Sequence, residues 1–496
     1  AVLDIEAGLY TSAIHRLQKA LVRDDSDGLS WFFLGISHLG LRDEKETLEC
    51  AYKAVRCFGT ASLGYDLAGR AYMRLGNYSR AVEAFEEAVR LNPKDTKAQN
   101  HLLLALYAAG DTMSAYKQAQ KRIAENLTDL VPRAVVALRH EKEMDRFVRE
   151  ARDFVGEDDF EMLETSLTFA ELGLLDEAVK LLVTVYVANP QPQRNPLPLY
   201  YLAYFVSLQG KPEGARAYRS LAAWPQRDYV FPSRPEAVEV FKYAVSENPD
   251  DAYAHLHLGN LYGNFGRLDE AARHWRKAGE LNASLSIAFR NLGLYAWAVE
   301  ENLAKAEGYY RKAIAARPKD QTLYRDLADI LLAGKKTDEA IKVMESTPFE
   351  KLRRADVIIM LAQAYVDEKR YTDAIELLES TPYFVNWEGQ TITWDLFSKA
   401  HLQRGRKRFD DKNFEDALKD FEAALTYPEN IGVGRSNKPR EAMAHYWKGK
   451  ALEALGRLED ARSAWEKGAN GQEGSKEQNE YQELCKKSLL THKWLL

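Results

Sequence analysis

Cysteine is scarce in this chain of 496 residues: only Cys50, Cys57 and Cys485 occur. None stands in a Cys-x-x-Cys pair or at ligand spacing from a histidine, which argues against a disulfide framework and a structural zinc site. Long apolar runs are missing too, since nowhere does the sequence approach the roughly twenty apolar residues of a membrane-spanning helix. Charge of one sign is not in excess. The 68 Lys and Arg against 74 Asp and Glu leave a formal charge of -6, without the basic field that draws nucleic acid. Catalytic constellations are absent as well. His255 and His257, two apart on a helix, point to different faces, unlike a zinc pair four apart. His401 and His445 fall where large packing residues sit, and Asp158-Asp159 and Asp410-Asp411 are adjacent surface pairs without acid and base geometry. The expectation is a soluble, folded chain that is not an enzyme and uses no cofactor or metal, with the chemistry of any longer parent protein left open.

What the sequence has instead is a repeat. Tyr65, Gly69, Tyr72, Gly76, Tyr78, Ala81, Phe85, Ala88 and Pro93 set small and large residues in the order of two short helices, A and B, around a turn at Gly76. Gly69 and Ala81 fall where A and B cross, and a larger side chain at either would push the helices apart. Tyr72 and Phe85 fill the space beside the crossing. Asn92-Pro93 stops helix B, because proline lacks an amide proton and disfavours helix at the residue before it. This spacing resembles the 34-residue tetratricopeptide unit. The helix-B position recurs at Ala13, Thr47, Ala81 and Ala115, blurs through a degenerate unit near 133–153, and resumes at Ala178, Ala237, Ala271, Ala306, Ala340, Ala374, Ala417 and Ala461. The resemblance implies an all-α fold, a right-handed α-α superhelix or tetratricopeptide solenoid of about 12 to 13 helix pairs, some degenerate. The first unit shows only Gly8, Tyr10, Ala13, Leu17 and Ala20, and no initiator Met precedes Ala1. A natural protein extending before Ala1 is therefore expected, since a terminal repeat needs a cap or a neighbour.

By sequence the chain divides into an N-terminal array at 1–188, a Pro- and aromatic-rich insertion at 189–235, a C-terminal array at 236–471 and a charged cap or tail at 472–496. The insertion carries Pro190, Pro192, Pro196, Pro198, Pro212, Pro225, Pro232 and Pro235 with Trp224, Tyr229 and Phe231, and reads as a proline-stiffened packing loop. Loops at 381–393 and 427–440 lengthen the C-terminal repeats. In the first, Trp387 beside Glu388 suits stacking and hydrogen bonding to a sugar or an aromatic side chain, and equally suits plugging a hydrophobic gap. In the second, Tyr427 and Asn430 precede Gly432, Gly434 and Arg435, a set able to turn amide protons and a forked donor toward an anion. No Gly-Lys-Ser or Gly-Lys-Thr and no strand accompanies it, so a structured turn is favoured over a phosphate site.

Tyr229 to Arg234, His255 to Gly259, Trp275, Arg290 to Gly293, Trp387 to Gly389 and Tyr427 to Gly434 together resemble the C-terminal tetratricopeptide region of an uncharacterised bacterial family with an N-terminal β-rich domain of unknown function. The likeness implies a preceding β-sandwich-like domain directed at carbohydrate, with these loops facing it or its ligand. It also implies a bacterial setting, in the cytoplasm or periplasm.

In tetratricopeptide superhelices helix A lines the concave groove. Here its groove positions include Arg70, Arg74, Asn260, Asn264, Arg290, Trp297, Arg325, Asp329, Gln363, Arg406 and Lys450. Basic and amide groups predominate, which suits an acidic or hydrogen-bond-rich extended partner. Asn260 and Asn291 have the 31-residue spacing of the asparagines with which related domains clamp a chaperone C-terminal carboxylate. Leu256, Thr322 and Asp326 stand in place of the clamp's basic residues, so the carboxylate clamp is rejected and the pair is kept as binders of peptide backbone. The leading function is a non-catalytic scaffold that holds a protein, a peptide segment or an adjoining domain in its groove. The alternative is an accessory region of a carbohydrate-active enzyme, with the inserted loops completing a glycan site.

Overall fold

A computed structural model describes residues 1–139, 141–155, 160–184, 195–223, 230–348, 354–385, 390–435, 440–470 and 475–491. These residues are helix and turn throughout, with no strand among them. They fall into two compact units, Ala1–Asn291 and Leu292–Leu496.

In the first unit, helix Ala61–Arg74 is followed by Tyr78–Leu91. Asn77 caps the second by accepting from the Arg80 amide at 3.3 Å, which satisfies one of the free N–H groups of a helix start. Asp27, Asp43, Asp95, Asp111 and Asp251 perform the same service for other helices of this unit. Between the paired helices the packing is set by one exchange of volume. A Cβ added at Gly69 would lie 2.5 Å from the Phe85 ring, and one at Gly259 2.6 Å from Trp275. Glycine is needed there because the aromatic ring occupies the place of its side chain. Elsewhere the volumes are reversed: Leu103 and Ala119, at the same offset, are both fully buried.

The degenerate stretch is a helix pair, Leu130–Arg139 and Glu141–Val155. Its pattern is blurred because a buried ion pair, Arg133 with Glu150, joins the two helices. The proline-rich segment 189–235 differs from its reading as a packing loop. Within it Leu197–Leu208 and Pro212–Ala222 form another helix pair. Pro198 and Pro212 sit in first turns, where a missing amide proton removes no intrahelical bond. Tyr200 is 1% exposed, packs on Phe241 at a ring separation of 4.9 Å and donates its hydroxyl to the Asp251 carboxylate at 3.1 Å. Pro190, Pro192, Trp224, Pro225 and Tyr229 lie outside the described residues.

The second unit repeats the exchange, with Gly293 against Tyr310, Gly405 against Phe421 and Gly449 against Trp465. Its two inserted loops pack on each other. The Phe384 amide donates to the Asn430 carbonyl at 2.8 Å, and Phe384, Trp394, Phe397 and Ile431 share one core. Helix Lys476–Thr491 packs on the preceding pair: Gln478 accepts from the Ala442 amide at 3.2 Å, and Cys485 fills the gap at Gly468.

The packing at Gly449 and the open surface at Gly308 give opposite expectations. A Cβ at Gly449 would stand 2.2 Å from Trp465 Nε1, whereas at Gly308 it meets nothing within 4 Å. Gly449→Ala is expected to destabilise the chain by about 1 to 3 kcal/mol through overpacking. Gly308→Ala, at an exposed position inside helix Leu303–Ala316, is expected to stabilise it by about 0.5 to 1 kcal/mol through helix propensity. Urea unfolding of both variants checks the pair, and equal effects would overturn the packing argument.

Candidate functional site

Helix Ala252–Asn264 and helix Leu268–Leu281 form one repeat of the first unit. The gaps at Gly259 and Gly263 seat the Trp275 indole, and its Nε1 donates to Asn260 Oδ1 at 2.9 Å. An indole N–H only donates, so this bond fixes which end of the Asn260 carboxamide is oxygen. Asn291, on helix Ser286–Ala298, donates its Nδ2 to the same oxygen at 3.0 Å. Asn260 is 9% exposed, and its Nδ2 is buried without a partner among the described residues. The structure thus joins the two asparagines that spacing singled out. Asn264 lies one turn on and is exposed, and Arg290 stands beside Asn291.

Three histidines lie in the same repeat. His255 Nε2 donates to the Pro249 carbonyl at 3.1 Å, so its Nδ1 must accept from His274 Nδ1, 2.9 Å away. Burial pushes the His255 imidazole down, with the Lys277 charge adding to it. His274 is brought to about 4 by burial and by the charges of His255 and Arg273. His257, packed against Tyr200 and Phe241, is brought to about 3 by burial alone.

The predicted groove arginines of the first unit meet an acid that sequence reasoning missed. Arg70 forms a short ion pair with Glu171, the last residue of helix Phe160–Glu171, and Lys97 lies 3.4 Å from the same carboxylate. Arg74 donates to the Leu39 carbonyl at 2.6 Å and the Glu171 carbonyl at 3.4 Å. Burial would raise the Glu171 carboxyl, yet Arg70, Lys97, His101 and Arg234 together hold it well below the usual carboxylate range.

In the second unit most singled-out side chains also have partners within the chain. Arg325 pairs with Asp326 and, at 3.5 Å, with Asp356. The Arg406 guanidinium lies 5.0 Å from the Trp447 ring centre, Lys450 pairs with Glu453, and Gln363 donates to Asp367 at 2.7 Å. Asp329 is half-buried, its carboxyl raised by burial, and Trp297 is 38% exposed. In the loops, Tyr427 lies flat on Trp394 at 4.7 Å and donates to Glu441 at 2.9 Å. Arg435 grips the same Glu441 at 3.0 and 2.6 Å. Burial would raise Glu441, but bonds from His445, Arg435 and Tyr427 bring it to about 2. Asn430 donates its amide to the Leu378 and Thr381 carbonyls at 3.0 and 2.9 Å. Trp387 and Glu388 lie outside the described residues. Asp420, a second missed acid at 2% exposure, collects Arg404, Arg408 and His401. Among the described residues no three His, Cys, Asp or Glu could hold a metal ion, and no helix is long and apolar enough to cross a membrane.

Helix pairs joined by short turns and locked by paired small and large residues define an α-solenoid. Its units are tetratricopeptide repeats: one sequence profile of that repeat matches residues 67–129, 233–282 and 402–475, and a second matches 300–354. Human protein O-mannosyl-transferase TMTC3 is 27% identical over 154 residues, which take in 28% of this chain and 17% of that protein. Of solved structures, YrrB, described as a TPR protein with an unusual peptide-binding site, is 20% identical with a TM-score of 0.22, covering 51% of this chain and 98% of YrrB. Yeast Tom70 is 13% identical with a TM-score of 0.27, over 94% of this chain and 96% of Tom70.

The histidines give the first unit a pH dependence. They are neutral in the fold, while in the unfolded chain they protonate near the ordinary value of 6.5. The unfolded state therefore binds more protons as the pH falls from 6.5 toward 4, and stability falls with it, by about 1 to 3 kcal/mol. Urea midpoints across that window should fall for the natural chain and stay flatter for His274→Asn.

Proposed function

We propose that the chain is a non-catalytic scaffold that holds an extended segment of another protein, or of an adjoining domain, on the helix-A face of its repeats. The observation that carries this is the Asn260 carboxamide. Its oxygen is held by Trp275 and Asn291, while its Nδ2 is buried without an acceptor among the described residues. A buried donor without a partner costs about 1 to 3 kcal/mol, and a peptide carbonyl supplies what is missing. Asn264, Arg290 and Asn291 extend the same face with amide and cationic groups suited to a backbone running past it. Stacked repeats present extended surfaces of this kind. The accessory-glycan alternative has less behind it. The mannosyl-transferase relative is matched over 17% of its length, and Tyr427, Asn430 and Arg435 have their polar groups bonded within the chain.

Asn260→Asp is the clean test, because it keeps an oxygen for Trp275 and Asn291 while replacing the unsatisfied donor with an acceptor. Peptides selected from a random displayed library on the full chain are expected to bind this variant about 10- to 100-fold more weakly, as measured by fluorescence anisotropy. Selected peptides that bind both chains equally would sink the proposal.

A further inference from the structure

A second cluster in the first unit stands apart from the asparagines. Arg70 and Arg74, on Ala61–Arg74, and Lys97, on Thr96–Ala108, converge on the single carboxylate and the terminal carbonyl of Glu171. Cations outnumber carboxylates there. Asp66 accepts from His101, its Oδ1 2.6 Å from Nδ1, and shares Arg70 and Lys97 with Glu171, while the opposed Arg42 and Glu44 both act on Arg74. Three cations thus face two carboxylates. Arg70 Nε is buried without a partner among the described residues, while the Lys97 side chain is 59% exposed. The cluster is a carboxylate receptor with one cation more than its carboxylates and one side open at Lys97.

Glu171 is a poor fit to its own helix. It is the C-terminal residue of Phe160–Glu171, where the helix dipole favours cations over anions. The arginines and lysine hold it there, and its helix does not. That helix has a separate tether, Glu164 to Arg234 at 2.7 Å, so Glu171 can leave the cluster without the helix being freed.

We propose that Arg70, Arg74 and Lys97 form a docking site for an acidic peptide, and that Glu171 is its built-in competitor, displaced when a partner's carboxylate takes its place. The net charge of -6 opposes a long polyanion, whereas a short run of Asp or Glu matches three cations at the open edge. Removing the competitor raises the fraction of chains with a vacant site and tightens binding by that factor.

The probe is amidated, fluorescein-labelled hexaglutamate, titrated with the full chain at low salt and read by anisotropy. Glu171→Gln is expected to tighten binding about tenfold, and Arg70→Gln with Lys97→Gln to remove it. Asn260→Asp, which tests the separate peptide proposal, should leave it unchanged. Glu171→Gln binding no more tightly than the natural chain overturns the proposal, as does binding that survives loss of Arg70 and Lys97. A loss in Asn260→Asp would place the probe at the asparagines and overturn it too. Circular dichroism confirms folding. If Glu171→Gln does not fold, Glu171→Asp, with its shorter reach, should give a smaller gain, and no gain there is equally decisive against it.

Discussion

Two helices of one repeat can lie against each other only where one gives up a side chain and the other fills the space. Gly69 and Phe85, Gly259 and Trp275, Gly405 and Phe421, and Gly449 and Trp465 are four instances of that exchange. Burial of a large ring against bare backbone supplies apolar area and fixes the distance between helices together. The polar chemistry rests on it as well. Trp275 reaches Asn260 because Gly259 and Gly263 let the indole lie between the helices, and that bond sets which atom of Asn260 accepts and which is left to donate. A packing rule thus decides the orientation of a hydrogen-bonding group.

Electrostatics follows a different logic. Buried and half-buried carboxylates act as collectors: Glu171 takes Arg70 and Lys97, Asp420 takes Arg404, Arg408 and His401, and Glu441 takes Arg435 and Tyr427. Desolvation makes such clusters costly unless every charge has a partner. Several basic residues that looked available on helix A are committed within the chain for that reason.

Helix pairs were legible in the sequence because their signals are local. Small and large residues recur at a fixed offset. The proline-rich stretch misled because Pro198 and Pro212 look like breakers in any window, and only the helix start reveals that they occupy first turns. The acids were illegible for a different reason. Glu171 lies 97 residues from Arg74 in the chain, and no periodicity points from one to the other. The pairing of the two inserted loops, Phe384 with Asn430, was hidden in the same way. Asn260 and Asn291 could be found because their partnership spans one repeat, the distance at which the sequence has a ruler.

The Glu171 contact also bears on how such a chain changes length over generations. Tandem units with matching interfaces can be gained or lost by unequal recombination, because each new junction joins like to like. Between Arg74 and Phe160 that freedom is gone: one unit more or fewer would carry the carboxylate away from Arg70 and Lys97. The clasp counts repeats: within that segment, keeping the contact means keeping the number of units.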